Sequence, residues 1–224
     1  SRDAFDIALR AWQKTHQSHV IIDAGCGVGL STRRLAIHYP DHFVIGVDQS
    51  FDRLSRQVDW PGDIPTNFIT VRADLIDFWR LLRNNQIYPA HHYLLYPNPW
   101  PKKHHLARRW HGHPVFPSLL ALGGSIECRS NWKIYIEEFA MAVSVMTGIS
   151  AQCEPFRPPS EPLIQSFLSF RIFPFGRRFS ACSIFNLSCV VLCSKECLPY
   201  RSAPYSFITR DMRSTVSVYR PRSS

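Results

Sequence analysis

One amide stands between two prolines at Pro97-Asn98-Pro99, and Trp100, Pro101, Lys102, Lys103, His104, His105, Arg108 and Arg109 follow it. A short apolar run, residues 93–96, leads into them and stops at Pro97. Each proline fixes its own φ and narrows the conformations open to the residue before it. Asn98 therefore carries a hydrogen-bonding group on stiffened backbone, and such a group loses little entropy on meeting a substrate. Trp100 offers a face on which a base can stack. Lys102, Lys103, Arg108 and Arg109, with His104 and His105, form a local patch suited to phosphates. A charge run alone reads as a solvated loop. This one follows an apolar strand directly, beside a second set of chemically capable residues, and that favours the functional reading.

The second set lies upstream in "VIIDAGCGVGLST", where Gly25, Gly27 and Gly29 follow one apolar run and precede a helical one. Glycines there permit a tight turn and a close approach of ligand to backbone. Asp23 ends the first strand, Asp48 the second and Asp74 the third. Three acids at three successive strand ends all face the crevice at the carboxyl edge of a parallel sheet. Asp48 can accept both ribose hydroxyls of an adenosine ligand, and Asp74 can reach an adenine amino group. The G-x-G-x-G spacing differs from the G-x-G-x-x-G of dinucleotide folds. The alternatives are a nicotinamide-dinucleotide domain or a fold that binds nothing.

The elements that must position these groups alternate. Helical spacing at Ala4, Phe5, Ala8, Leu9 and Trp12 is followed by strands at 19–23, 43–48, 67–72, 93–96 and 125–128. Helices are expected at 31–39, 51–58, 75–82, 115–122 and 132–146. This alternation argues an α/β fold with a doubly wound, mostly parallel, Rossmann-like sheet. The pattern fades after Pro159, so residues 1–159 read as the ligand-binding domain and 160–224 as a separate C-terminal segment. Residues 181–193 are apolar enough for one strand. The segment reads either as an irregular cap or as a non-native continuation, such as the product of a reading-frame shift.

Composition narrows the class. The 224 residues suffice for one domain with a real core. No run is long and apolar enough for a membrane helix, and nothing at Ser1 reads as a signal peptide. The net charge is +9, but nine cations against two acids lie beyond Glu161, so +7 of it sits in the tail. Overall basicity is thus a poor argument for RNA, and only the local patch carries one. The seven cysteines show no metal-binding spacing, which suggests free thiols, no metal and a reducing, cytoplasmic setting.

The glycine loop and the three acids resemble the class I S-adenosylmethionine-dependent methyltransferases. That resemblance implies S-adenosylmethionine as cofactor, with Asp23 near the ammonium of its amino-acid moiety. "YPNPWPKKHHLARR" resembles the signature of the bacterial tRNA (guanine-N7-)-methyltransferase family, which usually has phenylalanine, proline, aspartate, proline, tryptophan, proline and two lysines before a basic cluster. "GGSIECRSNWKIYIEEF" resembles the next family segment, with Ser130-Asn131 where a threonine-aspartate pair is usual. The resemblance implies tRNA as partner, Asn98 as the catalytic-position residue, and Trp100, Lys102, Lys103, Arg108, Arg109 and Asn131 as substrate contacts. It also exposes departures: Asn98 and Asn131 replace acids, and "PLIQSFLSF" lacks the family's C-terminal glutamate. Two other readings stand beside it, an amino-group methyltransferase using Asn98 and a module that binds RNA or cofactor without catalysis.

Overall fold

The computed structural model describes residues 1–60, 62–149, 151, 153–155 and 187–193. Helix α1 (Arg2–Gln13) leads into β1 (His19–Ala24), α2 (Leu30–His38), β2 (His42–Asp48), α3 (Phe51–Leu54), β3 (Phe68–Arg72), α4 (Leu75–Asn84) and β4 (His91–Leu95). Two 3-10 turns, Lys103–Arg108 and Trp110–Gly112, precede α5 (Phe116–Ala121), β5 (Gly124–Ser130), α6 (Lys133–Thr147), β6 (Glu154–Pro155) and β7 (Leu187–Cys193). The sheet order is β3-β2-β1-β4-β5-β7-β6. Strands β1 to β5 pair in parallel, while β7 runs antiparallel to β5 and β6. The expected doubly wound α/β fold is the observed one.

Parallel strands are covered on both faces, so their sequences are apolar almost throughout. In β1, Val20, Ile21 and Ile22 are all buried. The larger core joins Phe5, Phe78, Trp79, Phe116 and Phe139, from α1, α4, α5 and α6, to one side of the sheet. The smaller core packs Leu35 and Ala36 of α2 against Ile21, Val44 and Tyr93 on the other. Gly46 makes that second layer possible at one point. A Cβ there would lie 2.4 Å from the Thr32 hydroxyl oxygen, so only glycine lets α2 come this close.

Most elements differ from their expected bounds by a residue or two, and three of the differences have local reasons. The helix expected at 51–58 ends at Leu54, because Ser55, Arg56 and Gln57 are exposed and give a longer helix no apolar face to pack. Strand β4 spans His91–Leu95 rather than 93–96, because Tyr96 takes φ 53°, outside the extended region. Strand β5 is longer, and its Gly124–Ser130 span pairs along its whole length with β7. Strand β7 falls within the apolar stretch at 181–193. The "PLIQSFLSF" stretch lies outside the described residues. No helix among the described residues is long and apolar enough to cross a membrane.

Candidate active site

The carboxyl ends of β1 to β4 open onto one cleft of about 540 Å³. Gly25, Asp48, Asp74, Asn98, Trp100 and Arg108 all line it. These residues span 84 positions of sequence, and the sheet register brings them together: Asp23 lies opposite Gly46 of β2 and Tyr93 of β4.

The glycine turn leaves β1 through left-handed φ values of 79°, 60° and 79° at Gly25, Gly27 and Gly29. Gly25 and Cys26 donate their N–H groups back to the Val47 carbonyl at 2.8 and 3.2 Å, which ties the turn to β2. A Cβ on Gly27 would meet nothing within 4 Å, so the glycine serves conformation and leaves its flank open.

Asp48 is buried, and its carboxylate organises the turn. One oxygen accepts the Gly27 N–H at 2.9 Å and the other the Ser50 N–H at 2.8 Å. The Arg53 guanidinium stands 3.7 Å from the first oxygen. Asp74 caps α4, taking the Ile76 N–H at 2.7 Å. Asp23 lies beneath the turn, 1% exposed and outside the cleft lining. Its Oδ2 accepts the Ser31 and Thr32 hydroxyls at 2.6 and 2.7 Å, while Oδ1 is buried without a partner. Burial pushes the Asp23 carboxyl up to about 6, despite the two hydroxyls that favour its charge.

The Pro97–Arg109 loop closes the far wall. Asn98 is exposed, and its Oδ1 accepts the Trp100 N–H at 3.2 Å in an Asx turn. Trp100 itself takes φ 43°, a conformation that costs a non-glycine residue energy. Its ring carries the Arg108 guanidinium 4.9 Å from its centroid and the His105 ring, edge-on, at 5.3 Å. Lys102 and Lys103 are exposed and outside the cleft lining.

Two further expected contacts also stand apart from the cleft. Asn131 is exposed in the turn after β5 and does not line the cleft. Arg109 departs from its expected role as a phosphate contact. Its side chain is 4% exposed, paired with Glu138 of α6, and it donates to the Pro99 carbonyl at 2.8 Å and the Trp100 carbonyl at 3.2 Å. The guanidinium faces inward because it satisfies loop carbonyls that would otherwise be left without donors. Gln49, Ser50, Arg53, Tyr96, Trp110 and His113 also line the cleft and were not anticipated. For Gln49 and Ser50 the signal was available, since they directly follow a strand-end acid. For Trp110 and His113 there was none. Among the described residues no cluster of histidine, cysteine or carboxylate side chains could hold a metal ion.

Residues 17–155 match the family described as "Putative methyltransferase". The chain belongs to this methyltransferase family. Among named relatives, the tRNA (guanine-N(7)-)-methyltransferase of Bordetella pertussis is 28% identical over 126 residues, covering 53% of this chain and 48% of that protein. The enzyme of the same name from Treponema pallidum is 26% identical over 152 residues, covering 63% of this chain and 59% of that protein. The chain thus spans about half the length of the relatives it matches. A solved structure from Agrobacterium tumefaciens, described as a predicted O-methyltransferase, aligns at a TM-score of 0.51 with 12% identity. The alignment covers 85% of this chain and 81% of that one, and the likeness extends to the fold alone.

The residues present suit the cofactor implied by this family. An adenosine ligand needs acceptors for its ribose and adenine donors, and Asp48 and Asp74 stand on one cleft. Asp23, expected at the ammonium, lies beneath the glycine turn and off the cleft lining, with Oδ1 buried and without a partner.

Proposed function

We propose that the chain is an S-adenosylmethionine-dependent methyltransferase that acts on tRNA in the cytoplasm, with guanine N7 as the target atom. The observation that carries this reading is the convergence of Gly25, Asp48, Asp74 and Asn98 on one cleft beside Trp100 and Arg108. Membership of a methyltransferase family supports the chemistry, and the named relatives support the base. Residues 1–159 are taken as the catalytic domain, to which Leu187–Cys193 adds a strand.

The cofactor, when bound, supplies a methyl group on a cationic sulfur. Asp48 would accept its ribose hydroxyls, Asp74 would face the adenine amino group, and Asp23 would answer its ammonium. Guanine N7 is a free lone pair, so no proton has to be removed before it attacks. The protein's task reduces to alignment and to stabilising the positive charge that arrives on the base. Asn98 contributes an amide dipole where a carboxylate would contribute a full charge. Because Oδ1 is engaged with Trp100, an alternative role for the residue is to present its amide NH2 to a base edge. Lys102, Lys103 and Arg108 supply positive charge for the RNA backbone, and Arg108 also stiffens Trp100. Asn131 would meet the substrate from the turn after β5.

Incubation with S-adenosylmethionine and unmodified tRNA, followed by nucleoside analysis, tests the reading. Label in N7-methylguanosine supports it. Label in an exocyclic amine instead favours the amino-group reading. Normal binding of cofactor and RNA without transfer leaves a binding module.

A further inference from the structure

We propose that Glu138, on α6 and outside the cleft, is a positioning residue that sets the pose of Asn98 and Trp100 through Arg109. The inference rests on the reading of this loop as substrate-facing, and it names a residue that reading does not include.

The contacts form one chain. Glu138 Oε2 receives both the Arg109 guanidinium and His111 Nε2, the latter at 3.1 Å. The same guanidinium then holds the carbonyls of Pro99 and Trp100, the two residues that follow Asn98. Tyr135, one turn earlier on α6, takes the Trp110 N–H at 3.4 Å and packs edge-on against His111 at 4.8 Å. One face of α6 thus grips the loop just behind its functional residues.

The loop has reason to need that grip. Tyr96 and Trp100, on either side of Asn98, both take left-handed φ, 53° and 43°. Such conformations persist when the surroundings over-determine them. Asn98 is exposed, and Pro97, Pro99 and Trp100 are only half-buried, so the core does not by itself fix the turn. Tyr96 is tied to β5 by its N–H to the Arg129 carbonyl at 2.7 Å, and the inward pull on the Pro99 and Trp100 carbonyls restrains the other end of the turn.

The anion is built to stay charged. Burial pulls the Glu138 carboxyl up, but hydrogen bonds from His111 and Arg109 outweigh it and hold it below the ordinary glutamate range. Removing it would leave a buried guanidinium with its carbonyl partners only, which is costly. Neighbouring Glu137 provides a contrast, since it is exposed and pairs with exposed Lys133 at 3.4 Å.

The test compares Glu138→Ala, Glu138→Gln and the control Glu137→Ala in the full chain. Hydrogen exchange is read on peptides covering residues 96–110, beside cofactor affinity by calorimetry, thermal midpoint, and kcat and KM for tRNA. Glu138→Gln keeps the shape and an acceptor, so it reports even if the alanine variant folds poorly. The expected result is faster exchange confined to 96–110, cofactor affinity within about twofold, and kcat lowered on the order of 10- to 100-fold. Glu137→Ala should match the parent. Unchanged loop exchange in both Glu138 variants would overturn the proposal. So would a joint loss of cofactor affinity, thermal midpoint and protection across the whole sheet, which marks a purely structural role. If the parent chain methylates no tRNA, the functional reading fails, while loop exchange still decides the role of Glu138.

Discussion

The Asn98 amide oxygen accepts the Trp100 backbone N–H at 3.2 Å, so the residue facing the cleft and the aromatic beside it share one turn. An aspartate can make the same bond, because only an acceptor is required. Exchange of Asn98 for a carboxylate therefore changes charge while keeping the local geometry. If guanine N7 is the target, Asn98→Asp should raise methyl transfer by roughly 30- to 1000-fold, on the order of 2–4 kcal/mol of charge stabilisation. If the amide NH2 is what reads the base, the substitution should lower the rate. Transfer rates of the two proteins under one set of conditions give the sign.

Asp48 accepts from Gly27 and Ser50 and also lines the cleft, so the proposed ligand contact would come from the same carboxylate that holds the turn. Asp48→Ala should weaken S-adenosylmethionine binding by about 1.5–3 kcal/mol, the range for a charge-assisted hydrogen bond. Calorimetry on the folded variant measures this directly, and unchanged affinity would remove Asp48 from the cofactor site.

Lys102 and Lys103 are exposed, whereas Arg109 is buried against Glu138. The double change Lys102→Ala with Lys103→Ala should weaken tRNA binding and reduce the slope of log affinity against log salt by about 0.7–0.9 per lost phosphate contact. Arg109→Ala should loosen the loop without that slope change. Equal salt slopes in parent and lysine variant would mark the lysines as solvated.

If Asp23 answers the cofactor's ammonium as proposed, binding should depend on pH. Its carboxyl is held up at about 6, so the folded protein keeps a proton that the unfolded chain has already released above the ordinary value of 3.8. Stability from this group is therefore greatest below the ordinary value and falls as pH rises through about 6. A bound ammonium favours the charged form and offsets that cost. Cofactor affinity should rise between about pH 5 and 7, with a limiting slope of about tenfold per pH unit, and Asp23→Asn should flatten the rise. A flat profile in the parent protein would separate Asp23 from the cofactor.

The sheet was legible because buried parallel strands write themselves as apolar runs between glycine and proline stops, as at Val20, Ile21 and Ile22. Asp48 and Asp74 line the cleft as expected, but Asp74 does so as the cap of α4 beyond the end of β3, and Asp23, expected to face the crevice with them, lies beneath the turn and off its lining. Arg108 and Arg109 mark the limit. They are adjacent and chemically alike, yet one stacks on a half-buried tryptophan and the other is buried against a glutamate 29 positions away. That choice depends on where α6 packs, which no local pattern encodes. Trp110 and His113 reach the cleft for the same nonlocal reason. The short α3 reflects the lack of a packed apolar face beyond Leu54, which the apolar residue at Val58 had masked.

The most direct measurement is single-turnover transfer of a labelled methyl group from S-adenosylmethionine to unmodified tRNA, with the product digested to nucleosides. The account predicts label in N7-methylguanosine, reduced with Asp48→Ala and altered in rate by Asn98→Asp. Normal binding of cofactor and tRNA with no label in any nucleoside, or label only at an exocyclic amine, would contradict it.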